Sequence, residues 1–252
     1  MLEKLPRPAV IAHRGASAHA PENSLRAVRL AVQLQAHAVE LDVRLTADQQ
    51  PVVIHDRTLD RTTRLSGLVS QIDLSVLRTQ LTENQFSGAD APLPVPHLSE
   101  VLHEFSSEIP INIELKSARL FPGKLPAAVS EVIRAFPSAD ILISSFNPLA
   151  ITAFHRLHPR VPLGLILSRR SFPIWSLTGL LSILPISSVH PYYRDVSAKM
   201  ISSCHARGLK IFPYTVNAPQ DMIQLAGLGV DGFFTDDPDL ARRTLSRVVK
   251  VE

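Results

Sequence analysis

Three acids, two histidines, an arginine and a lysine carry the chemistry this sequence can do. In E-L-D-V at 40–43 two acids stand two residues apart on a stretch of strand character. Side chains alternate along a strand, so Glu40 and Asp42 share a face while Leu41 and Val43 pack behind them. I-N-I-E-L-K at 111–116 repeats the device, with Asn112, Glu114 and Lys116 on one face and Ile111, Ile113 and Leu115 on the other. Three carboxylates with no cysteine nearby form a hard oxygen site suited to one divalent ion, Mg²⁺, Ca²⁺ or Mn²⁺. Arg14 and Lys116 flank it, and a divalent ion beside Arg and Lys suits a phosphate whose oxygens gain charge during transfer. Histidine is the side chain whose unperturbed pKa lies near neutrality, so His13 and His55 are suited to supply one base and one acid. The set describes phosphodiester cleavage. A base deprotonates the attacking hydroxyl or water, the cations hold the phosphate, and an acid protonates the departing alkoxide.

Such groups need a frame that brings them together. Apolar runs predict strands at 9–13, 38–45, 111–116, 141–145, 163–167, 186–189, 210–215 and 232–235. Helical spacing falls between them at 25–34, 98–105, 125–136, 148–157, 174–184, 196–207 and 219–228, with a closing helix at 238–249. Eight strand-then-helix units predict an α/β fold, a parallel (β/α)8 TIM barrel forming a single domain over 1–252. A turn at Ala47–Gln50 and an extra strand at 52–55 deliver His55. The polar, proline-rich segment 57–96 reads as an insertion after the second strand, with a short helix capped near Asp73. An open doubly wound sheet is the other arrangement of such units, but no glycine-rich dinucleotide fingerprint follows the first strand. In a barrel the functional groups sit at the carboxyl ends of the strands. His13 ends the first, Glu40 and Asp42 lie on the second, and Glu114 and Lys116 finish the third.

Composition narrows the partners. The chain has 252 residues, 45% of them hydrophobic, and a net charge of +3 from 26 basic and 23 acidic side chains. Its basic runs are pairs such as Arg169-Arg170, so no nucleic-acid footprint is present. One cysteine, Cys204, excludes an internal disulfide and fits a reducing compartment. The first residues lack the apolar core of a signal peptide, and Ile174–Leu184 is too short to cross a bilayer. A cytoplasmic protein with no transmembrane segment and a small-molecule substrate is expected. Oligomeric state is not encoded in any visible pattern.

Most of the ten histidines sit in loops or helices where surface and capping roles are commoner than ligation. His190 follows a strand and so is a candidate for the barrel mouth. Asp236 and Asp237 follow the last strand and so could touch the site, but before Pro238 a turn or helix-cap role is the favoured reading. Cys204, mid-helix, reads as a small buried filler.

The motifs H-R-G (13–15), P-E-N-S (21–24), E-L-D-V (40–43), V-I-H-D (53–56) with L-D-R-T-T (59–63), and I-E-L-K (113–116) resemble the glycerophosphodiester phosphodiesterase family in order and spacing. The likeness continues through S-S-F-N (144–147), Y-T-V-N (214–217) and G-V-D-G-F-F-T-D-D-P (229–238), nearly the whole chain. The resemblance implies a TIM barrel with a small insertion after the second strand, and metal-dependent hydrolysis of glycerophosphodiesters to sn-glycerol 3-phosphate and an alcohol. It implies His13 and His55 as the acid/base pair, Glu40, Asp42 and Glu114 as metal ligands, and Arg14 and Lys116 as phosphate contacts. The family usually has Trp where Tyr214 stands, a residue near the alcohol portion of the substrate. Gln35 and His37 also depart from its common Gly and Asp.

Other functions compete with this one. The apolar segment 172–184, with Trp175, motivates a lid that admits lysophospholipids. A non-catalytic phosphodiester-binding barrel would be expected to lack a histidine or a metal ligand, and this chain retains all five positions. A glycosidase needs two carboxyls flanking the scissile bond, ~5–9 Å apart, whereas these acids are gathered as if around an ion.

Overall fold

The computed structural model describes residues 3–79, 81–82, 93–117, 121–169, 179 and 183–248. Each apolar run named above contains a strand, and the insertion adds a short pair: β1 (Ala9–His13), β2 (Ala38–Leu45), β3 (Pro51–Val53), β4 (Leu81–Thr82), β5 (Leu93–Pro94), β6 (Ile111–Leu115), β7 (Ile141–Ser145), β8 (Leu163–Leu167), β9 (Ser188–Pro191), β10 (Lys210–Ile211) and β11 (Gly232–Thr235), β4 and β5 being that pair. Eight of them pair in parallel in the order β10-β9-β8-β7-β6-β2-β1-β11, and β3 pairs antiparallel with β2. Three backbone hydrogen bonds cross the seam between the outermost two. Asp231 N–H donates to Ile211 O (3.1 Å), Phe234 N–H to Pro213 O (2.9 Å) and Val216 N–H to Phe234 O (2.8 Å). The ring is a nearly closed (β/α)8 barrel.

Helices separate the strands: α1 (Leu25–Gln33), α2 (Leu74–Thr79), α3 (Leu98–Phe105), α4 (Leu125–Arg134), α5 (Pro148–Leu157), α6 (Ala198–His205), α7 (Pro219–Leu228) and α8 (Pro238–Val248). Side-chain oxygens start several of them. Ser24, Asn147 and Ser197 each accept a first-turn N–H, and Gly229 at φ +88° ends α7. The helix expected at 174–184 falls mostly outside the described residues. Among those described, no helix is long and apolar enough to cross a membrane.

Strand alternation sorts the apolar residues into two layers. Val39, Leu41, Val43, Ile111, Ile113, Leu115, Ile143 and Leu165 face outward and pack with Val28, Leu102, Val129, Ile151 and Cys204 of the helices. Each such fully buried side chain contributes ~1.5–3 kcal/mol. Inside the ring a smaller group, Ile11, Ala38, Phe212 and Phe234, fills the barrel interior. The described part of 57–96 gathers on its own cluster of Leu59, Val69, Leu77 and Val95, which Val52 and Ile54 join to the barrel.

Two expectations change. The strand expected at 210–215 pairs regularly only at Lys210–Ile211. Pro213 faces β11 and brings no N–H to that ladder, while on the other side Phe212 N–H still bonds Val189 O and Tyr214 N–H bonds Pro191 O, both at 3.0 Å. The strand expected to deliver His55 ends at Val53, and the histidine lies just beyond it.

Candidate active site

The turn after β1 is tightly constrained backbone at the edge of the site. Arg14 (φ 58°), Gly15 (φ 81°) and Asn23 (φ 57°) all take left-handed conformations. A Cβ on Gly15 would lie 2.6 Å from the carbonyl carbon of Ala27, so only glycine lets this turn rest on α1. The strained turn aims Arg14 N–H at Glu40 Oε2 (3.0 Å). Asn23 is equally committed. Its Nδ2 donates to Asp42 Oδ2 (2.8 Å) and its Oδ1 accepts Asp42 N–H (3.1 Å).

Register brings the acids together. Asp42 on β2 lies beside Glu114 on β6, with Glu40 beside Asn112 one step deeper. Glu40, Asp42 and Glu114 are all buried, and each offers an oxygen within 4.8 Å of the others. That is closer than the ~5–9 Å a glycosidic bond requires between its two carboxyls. Lys116 Nζ lies 2.9 Å from Asp42 Oδ1 and 2.7 Å from Glu114 Oε1, and Arg14 Nε lies 3.2 Å from Asp42 Oδ2. Burial, then the neighbouring charges of Asp42 and Glu114, push the Glu40 carboxyl well above its usual range. Burial raises Glu114 as well. Burial also opposes ionisation of Asp42, but Lys116 and Arg14 outweigh it and hold that carboxyl low. Glu40 Oε1 is buried without a hydrogen-bond partner. Two nearby cationic side chains therefore leave this trio short of positive charge, and a hard divalent ion fits the all-oxygen donor set.

Both histidines are held by a carboxylate. His13 Nδ1 lies 2.7 Å from Asp236 Oδ1, and Asp236 is fixed in turn by Ser17 Oγ (3.1 Å) and Asn217 Nδ2 (2.6 Å). His55 Nδ1 lies 2.6 Å from Asp56 Oδ1. A carboxylate only accepts, so each Nδ1 carries a proton and each Nε2 is left to the cavity both rings line. Burial lowers the His55 pKa despite the pull of Asp42, which favours the neutral ring. Asp56, drawn down to about 2 by its bond to Arg61, leads into a longer chain. Arg61 bonds Asp56 through Nε (2.6 Å) and grips both oxygens of Glu22 (2.7 Å each), and Glu22 bonds Arg14 (3.0 Å). The insertion thereby reaches Arg14.

His13, Arg14, Glu40, His55, Glu114, Lys116 and Tyr214 line one cavity of about 190 Å³ at the strand ends, with Asp42 closed off behind them. Tyr214 Oη donates to Leu167 O (2.9 Å), and its ring meets Phe146 edge to face at 6.0 Å. His190 faces the same cavity. It is buried, packs on Phe234 at 5.0 Å, and its pKa is pushed down to about 3 by burial. Gly164 makes the room, since a Cβ there would meet the ring at 2.7 Å.

Asp236 corrects the expectation of a turn or capping role. The pair divides its work: Asp237 Oδ1 accepts Leu240 N–H (2.9 Å) at the start of α8, while Asp236 turns inward to His13. Its position after the last strand, at the barrel mouth, was the available signal. Asn23, Glu22, Asp56 and Arg61 all lie inside the motifs quoted above, but pairing among them depends on loops that sequence spacing does not fold.

The family model described as the glycerophosphoryl diester phosphodiesterase family matches residues 13–240. A glycerophosphodiester phosphodiesterase of Caldanaerobacter subterraneus subsp. tengcongensis is 34% identical over 232 residues, 91% of this chain and 94% of its own. Another, from Bacillus altitudinis, is 35% identical over 238 residues, 92% of this chain and 96% of its own. Among solved structures, an Oleispira antarctica phosphodiesterase in complex with the product sn-glycerol-3-phosphate superposes with a TM-score of 0.85 at 29% identity, covering 95% of this chain and 97% of that one.

Proposed function

We propose that this chain, which belongs to the glycerophosphoryl diester phosphodiesterase family, hydrolyses glycerophosphodiesters to sn-glycerol 3-phosphate and an alcohol. The observation that carries the proposal is the gathering of three buried carboxylates, two carboxylate-held histidines and two cationic side chains at and just behind the lining of one cavity. Glu40, Asp42 and Glu114 would hold one divalent ion, Mg²⁺, Ca²⁺ or Mn²⁺. When bound, the ion supplies Lewis-acid polarisation of the phosphoryl oxygens and offsets their charge.

The side chains do the rest. Arg14 and Lys116 hold the phosphate oxygens, and because both already lean on Asp42 they are placed before the substrate arrives. His55, whose lowered pKa favours the neutral ring, takes through Nε2 the proton of the attacking water, or of the substrate's vicinal hydroxyl, in which case water then opens the cyclic phosphate. His13 protonates the departing alkoxide, and Asp236 steadies the imidazolium that this role requires. Tyr214 and Phe146 form an apolar wall for the carbon skeleton.

The test is release of glycerol 3-phosphate from glycerophosphocholine and glycerophosphoethanolamine, with EDTA and after adding back Mg²⁺, Ca²⁺ or Mn²⁺, beside a His13→Ala control. Turnover that needs metal and is lost with His13 is the expected result. No turnover with any metal would overturn the proposal.

A further inference from the structure

The site cavity does not end at Lys116. A second, larger lobe of about 550 Å³ opens beside it, and Glu114, Lys116 and Phe146 line both. Among the described residues the rest of its charged lining is Arg44, Arg57 and Lys124, with Glu114 the one acid. Lys116, 2.7 Å away, already matches that acid. Arg44 gives its Nε to the His55 carbonyl (2.7 Å), which fixes the guanidinium without neutralising it. Among the described residues, neither Arg57 nor Lys124 forms an ion pair.

Exposed cations on a convex surface are ordinarily just solvated. These three instead line a concavity that adjoins the place where the phosphate is cut. While Arg44 feels Asp42, Glu114 and Asp56, Arg57 and Lys124 have no ion-pair partner among the described residues. Like charges collected in a cleft raise the local potential and draw in an anion. Phe146, 40% exposed, and Phe121, 74% exposed, add apolar surface with Pro122 and Leu125. The lobe therefore offers a carbon skeleton something to lie on and an anion something to face.

We propose that this lobe receives the departing alcohol and selects alcohols that carry an anionic group of their own, above all a second phosphate. The inference rests on the hydrolase reading given above. A phosphate on the alcohol would face Arg57 and Lys124 while the scissile phosphate lies between Arg14 and Lys116. A choline or ethanolamine head group would bring its own positive charge to the same place and be disfavoured.

The experiment compares kcat/KM for three substrates: glycerophosphoethanolamine, glycerophosphoglycerol, and glycerophosphoglycerol carrying a terminal phosphate. Each is measured with the wild type and with an Arg57→Gln/Lys124→Gln variant, at low and at high salt. At low salt the phosphorylated substrate is expected to exceed the ethanolamine one by about tenfold, the gap shrinking as salt screens exposed charges. In the variant the gap closes while turnover of glycerophosphoglycerol stays as it was. Equal kcat/KM values for the three, or a preference that survives in the variant, would overturn the inference alone. Absence of turnover for all three would overturn it together with the hydrolase reading.

Discussion

His13 and Asp236, 223 residues apart in the chain, meet at 2.7 Å across the first and last strands of the barrel. Ala12 is paired with Thr235 in the β1–β11 ladder, so the residue following each in sequence emerges at the mouth side by side. Closure of the ring is thus what gives the histidine its carboxylate.

Replacing Asp236 by Asn leaves a hydrogen-bond partner for His13 but removes the charge and frees the ring to take the other tautomer. We expect kcat for glycerophosphodiester hydrolysis to fall by roughly 10²-fold, part of what a positioned acid or base supplies. KM and melting temperature should change little. The check is a cycle with His13→Ala, in which the double variant should be no slower than His13→Ala alone. An Asp236→Asn enzyme with wild-type kcat would show that the contact is structural only.

The barrel and its charged mouth were legible because period-two alternation fixes faces without knowledge of tertiary structure. Leu41 and Ile113 had to pack outward if Glu40 and Glu114 turned inward, and they do. What was not legible depends on closure and on loops. Asp236 has no partner until β1 and β11 pair. Arg61 reaches Glu22 only because the insertion folds back over the first turn. The short run of β10 was hidden for a simpler reason: Ile211-Phe212-Pro213-Tyr214 is apolar enough for a strand, but proline cannot complete the ladder.

Divalent metal should stabilise the fold as well as support turnover. Burial and neighbouring charge raise the Glu40 and Glu114 carboxyls, so the metal-free protein favours their protonated forms. That contribution is full below the unfolded-state carboxyl pKa and is lost as pH rises through the folded one. Added metal should therefore raise the melting temperature more at pH 8 than at pH 5. At about 100 times Kd the shift should be about 5–10 °C. Glu40→Gln should abolish most of it while melting, without metal at pH 8, no lower than the wild type. Calorimetry with EDTA and with metal checks both, and an undiminished metal shift in Glu40→Gln would remove that residue from the ligand set.

Gly15 and Gly123 both adopt positive φ, at +81° and +61°. An added Cβ at Gly123 meets nothing within 4 Å, whereas at Gly15 it meets Ala27 backbone at 2.6 Å. Gly123→Ala should then cost only the backbone penalty of about 1–2 kcal/mol. Gly15→Ala adds a steric clash that either α1 or the Arg14 turn must absorb, for a total of roughly 3 kcal/mol or more. Because that turn sets Arg14 N–H on Glu40, activity should drop in the soluble Gly15→Ala protein even at low temperature. Urea unfolding of the two variants separates the terms, and equal losses would mean that the turn yields easily.

His190 should make the fold acid-sensitive. Its ring is buried against Phe212 and Phe234, Ser188 Oγ lies 2.9 Å from Nε2, and burial holds the pKa at about 3. An unfolded histidine titrates near pH ~6.5. The unfolded chain therefore binds the proton first, and stability gained above pH ~6.5 is lost as pH falls toward 3, with a slope of up to ~1.4 kcal/mol per pH unit. His190→Gln keeps a polar side chain but cannot titrate. Urea unfolding of both proteins at saturating metal, at pH 7.5 and at pH 5.5, should show the wild type losing about 1 kcal/mol more than the variant over that interval. Losses that match would mean that His190 takes up its proton in the folded protein, which its packing between two aromatic rings opposes.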